Sequence, residues 1–594
     1  MRIFLTTVSL CLLAGGAAAQ DGNALYRERC AMCHDGTPQP RLPSRQELSG
    51  RTPEAVYQAM FEGAMKTQAA GLSPDQGRAI ARFVTGKEFG SVPAAAPGKT
   101  CSGEPAPLNL SDADWNGWGY DAANTRYQPK PGLTAADVPN LKLKWAFAFP
   151  NDGMRSAQPA VAGGRVFTGS VSGAVYSLDA ATGCTWWKYY AGATVRTAIS
   201  IGQVGGKTIA WFGDIRSMVH AVDAATGQPL WKVKVEDHPA ARITGAPAFY
   251  GGRVYVPVSS IEEASAMSPA YECCKFRGSI VALDGASGKQ IWKSFTVADA
   301  PRPVAKSATG VQLWGPAGAS VWSSPTIDTA KKVLYAATGN SYTSVSTDTS
   351  DAILAFDLET GKLLWSSQVQ AKDNYTMACG KPGACPEGAG PDFDFGSSPI
   401  LRDLGGGKRV LICGQKSGIV WGLDPDQRGK VLWQTRVGQG GPLGGIEWGP
   451  AADLEYAYAA VSDLTVNDAP GPGGLHALKL ATGEKVWSTP PPQLHCKAGA
   501  LGCTGAQSAA ISTIPGVVFS GSIDGHFRAY QTKTGEIVWD FDTVRDFQSV
   551  NGVPGKGGSL DSAGPVIANG MVFTNSGYGM WQGLPGNVLL AFGK

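Results

Sequence analysis

One short motif returns along most of this chain, and the way it begins and ends restricts the fold to a closed ring. It is first complete as Ser177-Leu178-Asp179-Ala180-Ala181-Thr182-Gly183, followed by Trp187. It returns as AVDAATGQPLW ending at Trp231, ALDGASGKQIW at Trp292 and AFDLETGKLLW at Trp365, with weaker copies at Trp433, Trp487 and Trp539. The last strand, Leu589 to Phe592, starts a further copy without its Trp, and Trp145 stands near the front without the first half of its own. The two fragments make an eighth copy shared between the ends of the chain.

Alternating residues before the motif, as in Arg165 to Ser170 and Ala174 to Leu178, read as two strands joined by a glycine turn. The Asp/Thr/Gly cluster is a tight turn whose polar side chains bond its own backbone. The Trp then falls on the next strand, where a flat ring packs between sheets. Successive tryptophans lie 42 to 73 residues apart, the size of a four-stranded blade. A solenoid needs capping ends, not complementary halves, so the pattern predicts an all-β eight-bladed β-propeller. With 594 residues there is room for a small domain besides. A net charge of +3 makes no case for nucleic acid.

Residues 1–19 read as a signal peptide: Arg2 is the basic start, Ile3 to Leu13 the apolar run, and Ala17-Ala18-Ala19 the cleavage site. Neither this run nor any later one is long enough to span a bilayer. The expected location is therefore periplasmic, where disulfides form.

Cys30-Ala31-Met32-Cys33-His34 is the c-type haem signature: two thiols for the vinyl groups and an axial nitrogen from His34. Met65, just ahead of an amphipathic helix, is preferred as sixth ligand of the haem iron over Met60, which reads as a core position. Residues 20–90 are thus expected to be a small all-α class I cytochrome c domain. The Ala/Pro-rich stretch 91–108 reads as a linker, and 109–594 as the propeller.

After the linker, Trp115, Gly119, Asp121, Asn124, Arg126 and Tyr127 form WxxxGxDxxNxRY ahead of the repeats. This combination resembles the quinoprotein alcohol dehydrogenases, whose propeller holds pyrroloquinoline quinone (PQQ) and calcium. A haem domain placed before the propeller resembles the branch that oxidises polyvinyl alcohol. Dehydrogenases of small alcohols or sugars are the nearest rivals. A scaffold propeller of the outer-membrane assembly type would lack the haem. A cytochrome cd1-like nitrite reductase would need a propeller histidine as haem ligand, and His220, His238, His476, His495 and His526 suggest no such site.

The resemblance implies site residues, most of them in the three longest intervals between tryptophans. Thr244 is a PQQ contact, and Glu262 a calcium carboxylate with Glu263 as its rival. Adjacent Cys273 and Cys274 form a disulfide ring on one face of the quinone, with Trp322 as the opposite floor and Ser320 beside it. Asn340, in AATGNSY, matches the calcium amide. Asp392, counted back from Pro399, is the catalytic base and a calcium ligand, with Asp394 as alternative. Lys416 falls where the family bonds the quinone oxygens, and Gln158, Arg196 and Trp448 are further cofactor contacts. Expected disulfides are Cys379–Cys385, Cys496–Cys503 and Cys101–Cys184, leaving Cys413 a buried free thiol. The implied reaction takes the alcohol proton on Asp392 and hydride on PQQ, with calcium as Lewis acid. Electrons then pass to haem c, and on to an external cytochrome c or other respiratory acceptor.

Overall fold

A computed structural model of the chain describes residues 21–35, 45–49, 53–61, 65, 68–89, 99–103, 107–150, 152–307, 309–381, 383–464, 473–494 and 499–594. The expected leader, His495 and Cys496 lie outside them, as does most of the expected linker. The chain divides into two compact units, one ending at Ala94 and the other running from Ala95 to Lys594.

In the first unit, helices Gly22–Arg29, Pro53–Phe61 and Pro74–Thr85 surround a small core of Tyr26, Val56, Met60, Ile80 and Val84. The last helix is capped at both ends. Ser73 and Gln76 exchange side-chain bonds to each other's backbone N–H, and Gly86 closes it in the left-handed region. The haem signature folds as the short helix Ala31–His34, with His34 buried and the Cys30 and Cys33 thiols free. Met60 is buried in this core, as its helical position implies, and Met65 packs against the core from outside it.

The second unit is an eight-bladed propeller. Blade 1 pairs Ala160–Ala162, Arg165–Thr168, Ala174–Asp179 and Thr185–Tyr190 in that order, and blades 2 to 7 repeat the antiparallel meander. Blade 8 draws on both ends of the chain: Val566–Ala568, Met571–Ser576 and Val588–Gly593 receive Lys142–Ala148 as their outer strand, with Trp145 opposite Ala591. The ring is closed by hydrogen bonds between the two halves anticipated from the sequence.

Each motif tryptophan reaches across to the next blade. Trp187 Nε1 donates to the Ala224 carbonyl at 2.9 Å, Trp433 to Leu480 at 3.0 Å and Trp487 to Thr532 at 2.8 Å. Across the closure Trp145 donates to Ala180 at 3.0 Å. The turn glycine is required twice over. Gly183 has φ +70°, and a Cβ there would stand 2.8 Å from the Trp145 ring. Thr182 and Asp179 knit the same turn, the threonine N–H and hydroxyl both donating to Asp179 Oδ1.

The WxxxGxDxxNxRY segment does more than lead into the ring. Its backbone touches the inner strands in turn: Trp115 with Val161 of blade 1, and Asn116 with Ile201 of blade 2. Ala122 then meets Ile327 of blade 4, Ala123 Leu401 of blade 5, Thr125 Ala452 of blade 6 and Arg126 Thr513 of blade 7. The Gln128 amide reaches the Ile567 carbonyl of blade 8. Residues 114–128 therefore cross the ring at its centre as a plug. Arg126, fully buried, fastens the plug by donating to Ile511, Trp118, Gln158 and Ser512. Farther out, Cys101–Cys184 and the backbone bond from Thr185 to Lys99 fix residues 99–101 to blade 1.

Candidate active site

A small cleft opens beside the plug. Of the residues expected to meet the cofactor, Thr244, Trp322, Arg196 and Trp448 line it. The Arg196 guanidinium lies 4.9 Å over the Trp448 ring, and that ring meets Trp322 edge-on with centroids 5.2 Å apart. Gly396 leaves room for the floor, since a Cβ there would come within 2.1 Å of the Trp322 ring.

The lining is polar where it should meet solvent or a ligand, yet its donors have no protein partner. Arg196 Nε and Nη2, Trp118 Nε1, Ser156 Oγ, Thr197 Oγ1 and Ser323 Oγ are all buried and unbonded. Buried donors left unmade cost about 1–3 kcal/mol each, so a cleft lined with them suits an acceptor-rich, anionic ligand. A quinone polycarboxylate such as PQQ has that character.

Next to the cleft stands a cluster of carboxylates around one ammonium. Lys416 Nζ lies 3.2 Å from Asp392 Oδ2 and 3.3 Å from Asp394 Oδ2, and 5.7 Å from the centre of the Trp322 ring. Burial lowers the lysine's affinity for its proton, but Asp392, Asp394, Glu447 and Glu263 more than offset this and hold it well above its ordinary value. Burial pushes Asp392 well above the usual carboxylate range against the pull of Lys416, and Glu263 rises to about 7 through burial and then Asp394. Glu447 is pushed up to about 8 by burial.

Local backbone chemistry sets these groups. Asp373, fully buried, accepts the N–H of Asp392 at 3.0 Å and of Phe393 at 2.7 Å, holding Asp392 at φ +62°. Asp394 accepts the Asn340 N–H at 2.7 Å, and its own carbonyl accepts the Lys416 N–H at 3.1 Å. Asn340 and Trp322 belong to one sutured pair of loops, through Ala319 to Asn340 at 2.9 Å, Gly339 to Ser320 at 2.9 Å and Tyr342 to Ala317 at 3.0 Å. Asp392 Oδ1 is buried without a partner. An oxygen-only donor set of this kind suits a hard cation such as calcium. Among the described residues no three such side chains enclose a metal site by themselves.

Several expectations need adjusting. The Glu262 carboxylate, wholly buried, is already bonded: it accepts from the Tyr271 hydroxyl at 2.9 Å, Lys275 N–H at 2.8 Å and Phe276 N–H at 2.8 Å, with His238 Nε2 at 3.4 Å. Its role is to pin the loop carrying Cys273 and Cys274, and Glu263 is the member of the pair facing the Asp394–Lys416 cluster. Gln158 is buried and spent on the plug, its amide donating to Gly117 and Trp118 and its oxygen accepting from Arg126 and Gly564. Ser320 Oγ is paired with the Tyr342 hydroxyl at 2.6 Å.

Cys273 and Cys274 form their disulfide, across a cis peptide with Cα atoms 3.1 Å apart. They are buried among Phe276, Ala317 and Tyr342 and do not line the cleft. Cys101–Cys184 and Cys379–Cys385 are formed, and Cys413 is a buried free thiol. Sequence reasoning missed Trp118, Ser156, Thr197 and Asp373. Trp118 alone had a signal, inside the WxxxGxDxxNxRY motif.

Residues 115–436 match the family model of the glucose/ethanol/alcohol dehydrogenase β-propeller domain. Residues 17–84 match that of cytochrome c oxidase, cbb3-type, subunit III. The chain is 43% identical to a polyvinylalcohol dehydrogenase of Pseudomonas sp. over 98% of this chain and 96% of that one. It is also 43% identical to a polyvinylalcohol dehydrogenase of Sphingopyxis sp. strain 113P3, over 96% and 92%. Among solved structures, a quinohemoprotein alcohol dehydrogenase from Pseudomonas putida HK5 superimposes with a TM-score of 0.62 at 19% identity, covering 83% of each chain.

Proposed function

Given that this chain belongs to the polyvinylalcohol dehydrogenases, within the PQQ-dependent quinohaemoprotein alcohol dehydrogenases, we propose that it oxidises secondary alcohol groups of polyvinyl alcohol to ketones in the periplasm. It is an alcohol dehydrogenase with PQQ and haem c as cofactors. The near full-length identity to two polyvinylalcohol dehydrogenases carries the substrate reading.

The domain reading supports this: residues 20–90 as the haem c domain, the intervening stretch to 108 as tether, and 109–594 as the catalytic propeller. PQQ, when bound, supplies a two-electron acceptor, and haem c a one-electron outlet. The residues of this chain do the rest. Trp322, Thr244 and Arg196 would hold the quinone, with Lys416 as a donor to it. Glu263, Asn340 and Asp392 would offer oxygens to calcium, which would supply a Lewis acid there. Asp392, in its ionised form, would take the alcohol proton. Asp373 keeps that carboxylate in place. The tether makes transfer to the haem intramolecular, which raises the acceptor's effective concentration. Cys30 and Cys33 would carry the haem, with His34 and Met65 on its iron. An external cytochrome c or another respiratory acceptor then drains it.

The test is product analysis. The full chain, loaded with PQQ and calcium and given an electron acceptor, is incubated with polyvinyl alcohol, and the polymer is examined by carbon-13 NMR. Ketone carbonyls along the chain support the reading. Turnover of propan-2-ol or a sugar without ketone formation in the polymer would reassign the substrate and leave the chemistry standing.

A further inference from the structure

The residues assigned to calcium stand on three different blades. Glu263 follows the strand Arg253–Ser260 of blade 3, Asn340 follows Val333–Ala337 of blade 4, and Asp392 precedes Ile400–Gly405 of blade 5. One further loop, running from Asp373 to Gly390, is bonded to all three. Its Met377 N–H donates to the Glu263 carbonyl at 3.1 Å, and its Ala384 N–H to the Ala266 carbonyl at 2.9 Å. Its Tyr375 carbonyl accepts the side-chain amide of Asn340 at 2.7 Å, while the Tyr375 N–H donates to the Ser341 carbonyl at 2.8 Å. Asp373, where the loop starts, takes the N–H groups of Asp392 and Phe393, where it ends.

The bond from Asn340 decides which atom of that side chain is left over. Its Nδ2 also donates to the Ser341 carbonyl at 3.0 Å, so both amide hydrogens are spent. Oδ1, the atom that can ligate a hard cation, is the one remaining.

The loop is closed upon itself by Cys379–Cys385 and by the Thr376 hydroxyl, which donates to the Ala384 carbonyl at 2.9 Å. Ala378 and Ala384, beside the two cysteines, are buried in one cluster with Ala266 and Tyr342. Gly383, at φ +143°, permits this close approach, since a Cβ there would stand 2.5 Å from the Ala266 carbonyl. A cross-linked loop has few conformations of its own, so its contacts are set before a ligand arrives.

We propose that the loop closed by Cys379–Cys385 positions the calcium ligands, aiming Asn340 Oδ1 and fixing the backbone at Glu263 and Asp392. Tyr375, Thr376, Met377 and the disulfide are positioning elements: they act through those three residues and do not touch the ion. This inference rests on the reading that places calcium among Glu263, Asn340 and Asp392.

The test uses the full haem-loaded chain, freed of calcium and titrated with calcium by isothermal titration calorimetry in constant PQQ. Melting temperatures of the same proteins in chelator, without PQQ, are taken alongside. C379S/C385S removes the cross-link, and T376V removes the second closure. Loss of groups that orient metal ligands costs 10–100-fold in affinity, so C379S/C385S is expected to raise the calcium Kd roughly tenfold or more, and T376V to raise it by less. Wild-type affinity in both variants overturns the proposal. A lower melting temperature in chelator beside that unchanged affinity would mark the loop as a stabilising element only. E263Q separates the two levels. If it binds calcium as the wild type does, the cation site itself is misassigned and the proposal falls with it. If it binds weakly while both loop variants bind normally, only the proposal about the loop fails. Should C379S/C385S not fold, T376V decides, and an unchanged Kd there overturns the proposal.

Discussion

Lys416 and Asp392 form a buried pair, Nζ to Oδ2 at 3.2 Å, at the edge of a cleft floored by Trp322. The lysine serves a second carboxylate, Asp394, at nearly the same distance, and one positive charge thus faces several negative ones. That imbalance leaves an electrostatic opening for a cation, and it ranks the two aspartates. Asp392 has a free oxygen, whereas Asp394 spends Oδ1 on the Asn340 N–H.

D392N is therefore expected to lower kcat by roughly 10²–10⁴-fold, the range for loss of a general base, with PQQ still bound. D394N is expected to cost less in kcat and to lower stability as well, through the Asn340 turn. Steady-state kinetics with thermal melts on both variants checks this ranking.

Glu262 and Glu263, adjacent in sequence, are expected to separate cleanly. E262Q takes an acceptor from three protein donors and should lower the melting temperature by about 2 °C or more, as for ~2 kcal/mol in a buried charge-assisted network of a propeller this large. E263Q should leave stability nearly intact and weaken calcium binding at least tenfold. Calcium titration followed calorimetrically on each variant measures both.

Glu447 supplies a pH signature. Its carboxyl is raised from 4.5 to about 8 in the folded protein, mainly by burial. The folded state thus holds a proton that the unfolded state releases first. The associated stability is complete below pH 4.5 and is lost as pH rises through 8. Without cofactor or calcium, E447Q should melt progressively higher than wild type between pH 5 and about 9, by an increment that is smallest at the acid end. Melting curves across that range read the difference directly.

The ring closure makes a structural prediction. W145A removes a ring packed on Gly183 and a bond to Ala180 at the seam where the chain's two ends meet. The expected loss is about 3–5 kcal/mol, the usual range for a buried large aromatic, seen as a lower urea midpoint with an unchanged slope.

The ring was legible in the sequence because each copy encodes a local turn plus a tryptophan for its neighbour, so Gly183 and Trp187 report on blade contacts without knowledge of the whole. Cys273–Cys274 and Cys379–Cys385 were legible because their partners lie close together in the chain. The cleft was legible only in part. Arg196, Thr244, Trp322 and Trp448 were named from the sequence, but the choice between Glu262 and Glu263 beside the cleft needed the Lys275 and Phe276 N–H groups that only a folded loop brings to Glu262. Trp118, Ser156 and Thr197 come from three separate segments, and their common property, an unmet bond facing one space, does not exist until those segments meet. Gln158 had the right position for a cofactor contact, but its bonds go to a plug that the repeat pattern does not reveal.

In the proposed function, alcohol electrons pass from the propeller's quinone site to the tethered haem. The most direct measurement is the visible spectrum of the oxidised full chain, loaded with PQQ and calcium, recorded on mixing with polyvinyl alcohol. Prompt growth of the reduced haem c bands is expected, absent without PQQ and nearly abolished in D392N. A haem that stays oxidised with the polymer and with every small alcohol tried, in protein shown by calorimetry to bind PQQ, would contradict it.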